Sequence, residues 1–271
     1  MQWRTLGSSG VEVPVVGMGT WKTFDVRGSA DDGHRRGVVD AALAAGTNLF
    51  DSSPMYGEAE RVLGKALEGR REQAVVATKI WTPDDAEAER QVRRSLGFFG
   101  GRIDVYQVHN LVSVSKRLKR LEELRDAGCV ASVGATHYAH SAFGELIEVM
   151  RSGRVTCVQV PYHVQDRVVE ERILPLAAER NIGVIIMKPL GTGALTGLEP
   201  SPAQLEPFAE FGVRTWAQVL LKWLVSDPRV TTVIPATSDP VHARENAEAG
   251  EPPWFGPAER DAVVKLADAL G

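Results

Sequence analysis

Residues 75–109 contain two short apolar segments, Val75-Val-Ala-Thr-Lys79 and Asp104-Val-Tyr-Gln-Val-His109, which flank the stretch Ala86-Glu-Ala-Glu-Arg-Gln-Val-Arg-Arg-Ser-Leu96. The two short segments are rich in valine, which is typical of buried β-strands. The stretch between them repeats an apolar residue every fourth position, which predicts an amphipathic helix. Two strands joined through a helix are expected to be parallel, because parallel strands need a long crossover connection.

The same alternation continues toward both termini. It predicts eight strands, at Val15–Gly19, Asn48–Asp51, Val75–Lys79, Asp104–His109, Val130–Thr136, Val155–Val160, Val184–Met187 and Thr231–Ile234. Helices are predicted at Gly33–Ala45, Glu58–Leu67, Ala86–Leu96, Ser115–Ala127, Ser141–Arg151, Val169–Arg180, Val213–Ser226, about Pro240–Ala249 and Pro257–Leu270. Two further short segments surround Gly7-Ser-Ser-Gly10, which predicts a hairpin ahead of the first long strand.

Two architectures fit eight alternating units, a closed barrel and an open doubly wound sheet. An open sheet usually carries GxGxxG after its first strand, whereas here the sequence is Gly17-Met-Gly-Thr-Trp-Lys22. The 271 residues also suit one barrel, which takes about 250 residues. We therefore predict an α/β protein with a single (β/α)₈ TIM-barrel domain over residues 1–271, an N-terminal β-hairpin and an extra C-terminal helix. The Gly- and Pro-rich segment Gly191–Phe208 is a candidate mobile flap over the site.

Composition narrows the possible partners. The net charge of -4 offers no basic excess for nucleic acid, and no apolar run approaches the length of a membrane span. Cys129 and Cys157 lie outside any metal or redox motif, and the six histidines are scattered, so no metal site is expected. We expect a cytoplasmic protein that is a monomer or weak homo-oligomer and acts on a small molecule.

Titratable residues recur where the predicted strands end, which is where barrel enzymes have their active sites. Asp51, Lys79 and His109 end three consecutive strands, and Tyr56 follows the first of them. A nearby ammonium lowers the pKa of a phenol, and a carboxylate keeps a buried lysine charged. The four residues could therefore form a tuned proton donor in which the imidazole orients a carbonyl oxygen or shares in the proton transfer.

Each of these residues also has an ordinary structural explanation. Asp51 could cap the following turn, Tyr56 could anchor a loop, Lys79 could extend from a strand end toward water, and His109 could be a core histidine. Their joint arrangement on three consecutive strands favours a catalytic role.

Motifs along most of the chain resemble one family. Asp51-Ser-Ser-Pro-Met-Tyr56-Gly57, followed by Leu63-Gly64, resembles the second-strand signature of the aldo-keto reductase superfamily. Further matches follow in order, at Ala77-Thr-Lys79, Asp104–His109, Val133-Gly-Ala-Thr-His-Tyr138, Gln159-Val-Pro-Tyr-His163, Pro189-Leu-Gly-Thr-Gly193, Ile234-Pro235 and Glu245-Asn246.

The resemblance implies reversible hydride transfer between a nicotinamide cofactor and an aldehyde, ketone or sugar-like carbonyl. Tyr56 would be the general acid or base, tuned by Lys79 and Asp51, with His109 positioning the carbonyl. Trp21, Tyr56, Trp81 and His109 would line the substrate pocket. NADPH is the expected cofactor, with NADH or dual use as alternatives. The resemblance assigns cofactor binding to Gly19, Thr20, Asp51, Thr136, His137, Gln159, Met187, Lys188, Pro189, Leu190, Gly191, Ala236, Thr237, Ser238, His242, Glu245 and Asn246.

The sequence departs from the family pattern where a cofactor would bind. Met187 replaces a common aromatic residue, and His137 replaces an asparagine. Ala236 and His242 replace the lysine and arginine that many NADPH-preferring members carry near the 2′-phosphate. The link between His109 and about Ser115 is short, which predicts an open cleft.

Two other functions remain open from the sequence. The chain could be a regulatory module that binds the cofactor with little turnover. It could also be a barrel enzyme that forms a Schiff base through Lys79 or Lys188.

Overall fold

The computed structural model describes all residues 1–271, and eight parallel strands form a nearly closed barrel in the order of the sequence. The barrel strands are β3 (Met18–Gly19), β4 (Leu49–Asp51), β5 (Val75–Ile80), β6 (Ile103–His109), β7 (Val130–Thr136), β8 (Cys157–Pro161), β9 (Gly183–Met187) and β10 (Thr232–Val233). Parallel bridges from Val16 to Val233 and from Gly19 to Ala236 join the last strand to the first. The predicted (β/α)₈ barrel is confirmed.

A hairpin and ten helices complete the fold. The hairpin pairs β1 (Trp3–Thr5) with β2 (Glu12–Pro14) antiparallel, as predicted. The helices are α1 (Ser29–Ala44), α2 (Ala59–Ala66), α3 (Asp85–Phe98), α4 (Val114–Asp126), α5 (Phe143–Arg151), α6 (Val169–Arg180), α7 (Pro202–Leu205), α8 (Trp216–Val225), α9 (Pro240–Glu248) and α10 (Pro257–Leu270).

Helix starts follow from local capping groups. The Asp84 carboxylate accepts a hydrogen bond from the Glu87 amide at 2.6 Å and begins α3. Thr215 accepts one from the Gln218 amide at 3.2 Å, while the Gln218 side chain accepts one from the Thr215 amide at 3.1 Å, and this reciprocal pair begins α8. Each cap satisfies an amide that has no partner inside its helix.

The core has two parts, because successive residues of a strand face opposite sides of the barrel wall. Outward-facing residues and the helices form a continuous core of 64 buried residues. A smaller cluster of eight lies inside the barrel, and two of its members come from the hairpin region. Its residues are Leu6, Val13, Leu49, Ala77, Val105, Cys157, Ile185 and Ile234. The hairpin therefore packs against the amino-terminal end of the barrel interior.

Some predicted boundaries differ from the structure. The first strand is two residues long rather than five, although Val16 still bridges to β10. Helix α1 starts at Ser29 rather than Gly33, because its first turn is polar and mostly exposed and so lacks apolar periodicity.

The segment Gly191–Phe208 is more structured than the expected flap. It contains short 3-10 turns and α7, and it is anchored by the buried side chains of Leu195 and Phe208. The Trp216 indole also donates a hydrogen bond to the Leu195 carbonyl at 3.1 Å.

No helix in the chain combines the length and the apolar character that crossing a bilayer requires.

Candidate active site

Residues that face the barrel interior near the carboxyl ends of the strands lie in two adjoining layers. Lys79 pairs in register with Gln107, and Gln107 with Gly134. One step further along the strands, His109 is in register with Thr136, and Thr136 with Gln159. Because side chains alternate across the wall, residues two positions apart on one strand face the same side. The register therefore gathers polar groups at one mouth of the barrel.

Space for these side chains comes partly from Gly134. A Cβ atom at this position would lie 2.6 Å from the Cys157 Sγ and 3.0 Å from the Gln107 Cγ. Glycine thus allows Gln107 to extend across the interior, where its amide nitrogen lies 3.4 Å from the Asp51 Oδ1.

Asp51 and Lys79 form a buried ion pair. Their side chains are only 3% and 1% exposed, and the Lys79 Nζ lies 2.8 and 2.6 Å from the two Asp51 oxygens. The ammonium also donates to the Ser52 carbonyl at 2.8 Å. Burial alone would lower the pKa of Lys79, but the negative charge of Asp51 outweighs this and the net direction is upward. The lysine is therefore a fixed positive charge at the mouth.

Tyr56 lies beside this charge in the loop that follows β4. The Lys79 Nζ is 5.2 Å from the centre of the Tyr56 ring, and the next residue, Gly57, turns the chain with φ of 62°. Burial raises the pKa of the phenol, and the opposing effect of Lys79 does not cancel that rise. This net direction differs from the sequence-based expectation, which considered only the ammonium. A raised pKa keeps Tyr56 protonated at neutral pH, which is the form that a proton donor needs.

His109 faces Tyr56 at the end of β6. The two rings are 5.8 Å apart and nearly perpendicular. Burial, with the nearby charges of Lys79 and His137, lowers the pKa of His109 to about 3. Its Nδ1 lies 2.9 Å from the Ser53 Oγ. The imidazole is therefore neutral and can hydrogen-bond to a bound molecule without carrying charge.

Three buried polar atoms in and beside this group have no hydrogen-bond partner. They are the Gln107 Oε1, the Thr136 Oγ1 and the Gln159 Oε1, and the last two belong to residues in register on β7 and β8. A hydroxyl can donate and an amide oxygen accepts, so the pair complements a primary carboxamide, which offers one acceptor and two donors. Unpaired buried polar atoms are costly, and a carboxamide between them would satisfy both. These residues fit the nicotinamide end of the expected cofactor.

Three other residues predicted to bind cofactor make contacts within the protein. The Thr20 hydroxyl lies 3.0 Å from both the Asp51 carbonyl and the Ser52 Oγ, so it joins β3 to the segment after β4. The His137 ring stacks on Tyr138 at 5.4 Å and its Nδ1 accepts from the Ala139 amide. Lys188, with φ of 54°, holds its ammonium 5.0 Å from the Tyr138 ring centre.

The segment leading into α9 is open to solvent on one side. Ala236, Ser238 and His242 are exposed, whereas Thr237 and Asn246 are buried. Asp239 caps α9 by accepting from the Val241 amide at 2.7 Å, a role that the sequence analysis did not consider. The Glu245 carbonyl accepts from Gln218.

The rim of the mouth is apolar and lightly covered. Trp21 and Trp81 are each 40% exposed, as is expected of rim residues, and Met55 and Tyr138 are also exposed. Only residues 110–113 separate β6 from α4, so this connection is too short to fold over the opening. No three His, Cys, Asp or Glu side chains lie together in a way that could hold a metal ion.

Ser53 and Gln107 are site residues that the sequence analysis missed. Gln107 was detectable, because it lies two positions before His109 on β6 and so faces the same side. Ser53 lies in a loop without periodicity, so only the folded chain reveals its contact with His109.

Comparison with known proteins agrees with this geometry. The sequence profile of the aldo/keto reductase family matches residues 15–254. Methylglyoxal reductase YeaE of Escherichia coli (strain K12) is 28% identical over 260 residues, which cover 91% of this chain and 89% of YeaE. Aldo-keto reductase YhdN of Bacillus subtilis (strain 168) is 29% identical over 73% of this chain, and the match spans 64% of YhdN.

A solved structure has the same fold. The aldo/keto reductase of Klebsiella pneumoniae, crystallised with NADP and acetate, superposes with a TM-score of 0.83 at 23% identity, covering 100% of this chain and 96% of that one. The family profile covers most of the sequence, and the barrel agrees with it: the chain belongs to the aldo/keto reductase family.

Proposed function

We propose that the protein is an NADPH-dependent reductase of aldehydes and ketones that also catalyses the reverse oxidation. The observation that carries the proposal is the buried Asp51–Lys79 pair beside Tyr56 and His109 at an open barrel mouth. The Asp51–Lys79 ion pair alone does not indicate catalysis, because a buried ion pair can have a purely structural role. A protonated phenol and a neutral imidazole beside the same ammonium are the groups that carbonyl reduction needs.

Each residue has a separate role in the proposed reaction. NADPH, held through Thr136 and Gln159, would supply the hydride for the carbonyl carbon when bound. Tyr56 gives its proton to the carbonyl oxygen, and the Lys79 charge stabilises the phenolate that remains. Asp51 keeps Lys79 charged and in place, while His109 donates a hydrogen bond that orients the carbonyl oxygen. In the oxidative direction Tyr56 accepts the proton.

The cofactor proposal rests on the two unpartnered atoms of Thr136 and Gln159, which would hold the carboxamide. The related Klebsiella pneumoniae structure contains NADP. Ala236 and His242 provide no fixed positive charge near a 2′-phosphate, and Asp239 adds a carboxylate there. We therefore propose that NADH is also accepted.

The substrate is proposed to be a small carbonyl compound that enters between Trp21 and Trp81. YeaE is a methylglyoxal reductase, so methylglyoxal belongs in a panel with larger aromatic aldehydes and ketones. The short 110–113 connection leaves room for a substituent that projects out of the mouth.

Titration of protein fluorescence with NADPH and NADH, followed by the carbonyl panel, tests the proposal. Tyr56→Phe is expected to bind NADPH as the unchanged protein does and to lose on the order of 10²–10⁴-fold in turnover. Tyr106→Phe is a matched control, because the Tyr106 hydroxyl is buried without a partner and should be dispensable.

If the protein binds neither NADPH nor NADH, the proposal is contradicted. Binding of NADPH without turnover on any carbonyl would favour the regulatory alternative. Reductive trapping of a substrate on Lys79 would favour Schiff-base chemistry.

A further inference from the structure

We propose that Ser53 is a positioning residue that fixes His109 in the tautomer with its proton on Nε2. The inference deepens the proposed function and rests on it for its catalytic consequence. It concerns a residue outside the four groups expected to carry the chemistry.

The contacts of the Ser53 hydroxyl determine the direction of its hydrogen bond. Ser53 is fully buried, and its Oγ accepts a hydrogen bond from the Met55 amide at 3.2 Å. The same oxygen lies 2.9 Å from the His109 Nδ1. No other acceptor for the Ser53 proton lies within hydrogen-bond distance, so the hydroxyl donates to Nδ1.

This direction leaves one proton location on the imidazole. An Nδ1 that accepts a hydrogen bond carries a lone pair, and a neutral ring then has its hydrogen on Nε2. The opposite tautomer would place two hydrogens between Nδ1 and Oγ or leave the buried Ser53 proton without an acceptor. Either outcome is unfavourable away from water.

A doubly protonated imidazolium would also carry a hydrogen on Nε2, but the surroundings of His109 exclude that charged form. Lys79 carries a positive charge nearby, and burial opposes a second charge at His109. Met55, Ser53 and His109 thus form a chain of donors that starts at a backbone amide and ends at the Nε2 hydrogen. A carbonyl oxygen at the mouth would meet a donor whose direction is already set.

Nitrogen NMR of protein labelled with ¹⁵N-histidine tests the tautomer directly. In the unchanged protein we expect His109 to show an unprotonated Nδ1 and a protonated Nε2, with the resonances assigned by their loss in His109→Gln. In Ser53→Ala we expect mixed tautomers, a roughly tenfold fall in kcat/KM and no change in the dissociation constant for NADPH.

Ser132→Ala is the matched control. Ser132 is also fully buried, and its hydroxyl lies 2.7 Å from the Thr156 Oγ1, away from the mouth. The Ser132→Ala variant should leave both the His109 resonances and kcat/KM unchanged. Thermal denaturation of both variants separates loss of folding from loss of positioning.

A protonated Nδ1 in the unchanged protein would overturn the inference even if Ser53→Ala did not fold. Native turnover and native resonances in Ser53→Ala would also overturn it. If the unchanged protein reduces no carbonyl, the proposed function fails, while the NMR result still decides the tautomer.

Discussion

Asp51 and Ser52 take up most of the hydrogen-bonding capacity of the Lys79 ammonium. The ammonium has three hydrogens, and the two Asp51 oxygens and the Ser52 carbonyl all lie within 2.8 Å of it. Lys79 therefore acts on Tyr56 mainly through its charge. Because both partners are buried, removal of either one leaves an uncompensated charge in the barrel.

We expect Lys79→Met to abolish most turnover and to lower the free energy of unfolding by about 3–5 kcal/mol, because Asp51 stays buried without its partner. The double variant Asp51→Asn, Lys79→Met should recover most of that stability and none of the activity. Urea denaturation measures the free energy of unfolding of each variant, and steady-state rates measure its activity. A single variant as stable as the unchanged protein would contradict the buried ion pair.

His109 should make stability depend on pH in one direction. Its pKa is lowered to about 3 in the folded protein, whereas an unfolded histidine titrates near 6.5. Between these values the unfolded chain binds a proton that the folded protein does not, so stability falls as pH falls.

The free energy of unfolding of the unchanged protein relative to His109→Gln should therefore be about 2 kcal/mol smaller near pH 5 than near pH 7. Urea denaturation at the two pH values measures this difference. An equal difference at both values would show that the imidazole is accessible to protonation in the folded state.

At the scale of elements, the strands and helices with strong apolar patterns were the most predictable part of the molecule. Val130–Thr136 and Val169–Arg180 were predicted with the observed bounds, because their apolar patterns are strong and end abruptly. The site residues Asp51, Lys79 and His109 were predicted because each ends a predicted strand. The first turn of α1, the Ser53 contact and the Asp239 cap depend on neighbours distant in sequence, so periodicity could not reveal them.

Lys222 of α8 connects three elements in a way that its sequence position does not suggest. Its side chain is fully buried, and its ammonium donates to the carbonyls of Phe211, Glu251 and Pro253. It thereby joins α8 to the segment before it and to the segment between α9 and α10.

We expect Lys222→Met to lower the free energy of unfolding by about 3 kcal/mol, because buried carbonyls lose their donor. Lys265→Met, on the exposed side of α10, should change it by less than about 0.5 kcal/mol. Thermal or urea denaturation compares the two. Similar losses in both variants would show that the carbonyl contacts do not stabilise the fold.

At the scale of the whole molecule, the hairpin covers the end of the barrel opposite the site. Leu6 and Val13 pack with inward-facing residues such as Leu49 and Ile185. Leu6 fits so closely against β9 that a Cβ on Gly183 would lie 2.5 Å from the Leu6 Cδ1. The covered end and the open mouth are therefore separate parts of one barrel.

Leu6→Ala should lower the free energy of unfolding by about 2–5 kcal/mol and leave kcat unchanged, because the cavity forms far from Tyr56. Val168→Ala, which removes an exposed side chain, is the control and should have an effect below about 0.5 kcal/mol. A large fall in kcat without a loss of stability would show that the barrel transmits the change to its mouth.

The packed interior below the site has one further consequence. Because Leu6, Val13 and inward-facing strand residues fill the barrel, no channel runs through it to the hairpin end. A molecule bound beside Tyr56 can therefore enter and leave only at the open mouth. The carbonyl compound and the alcohol of the proposed reaction share that opening, so both must pass the exposed rings of Trp21 and Trp81.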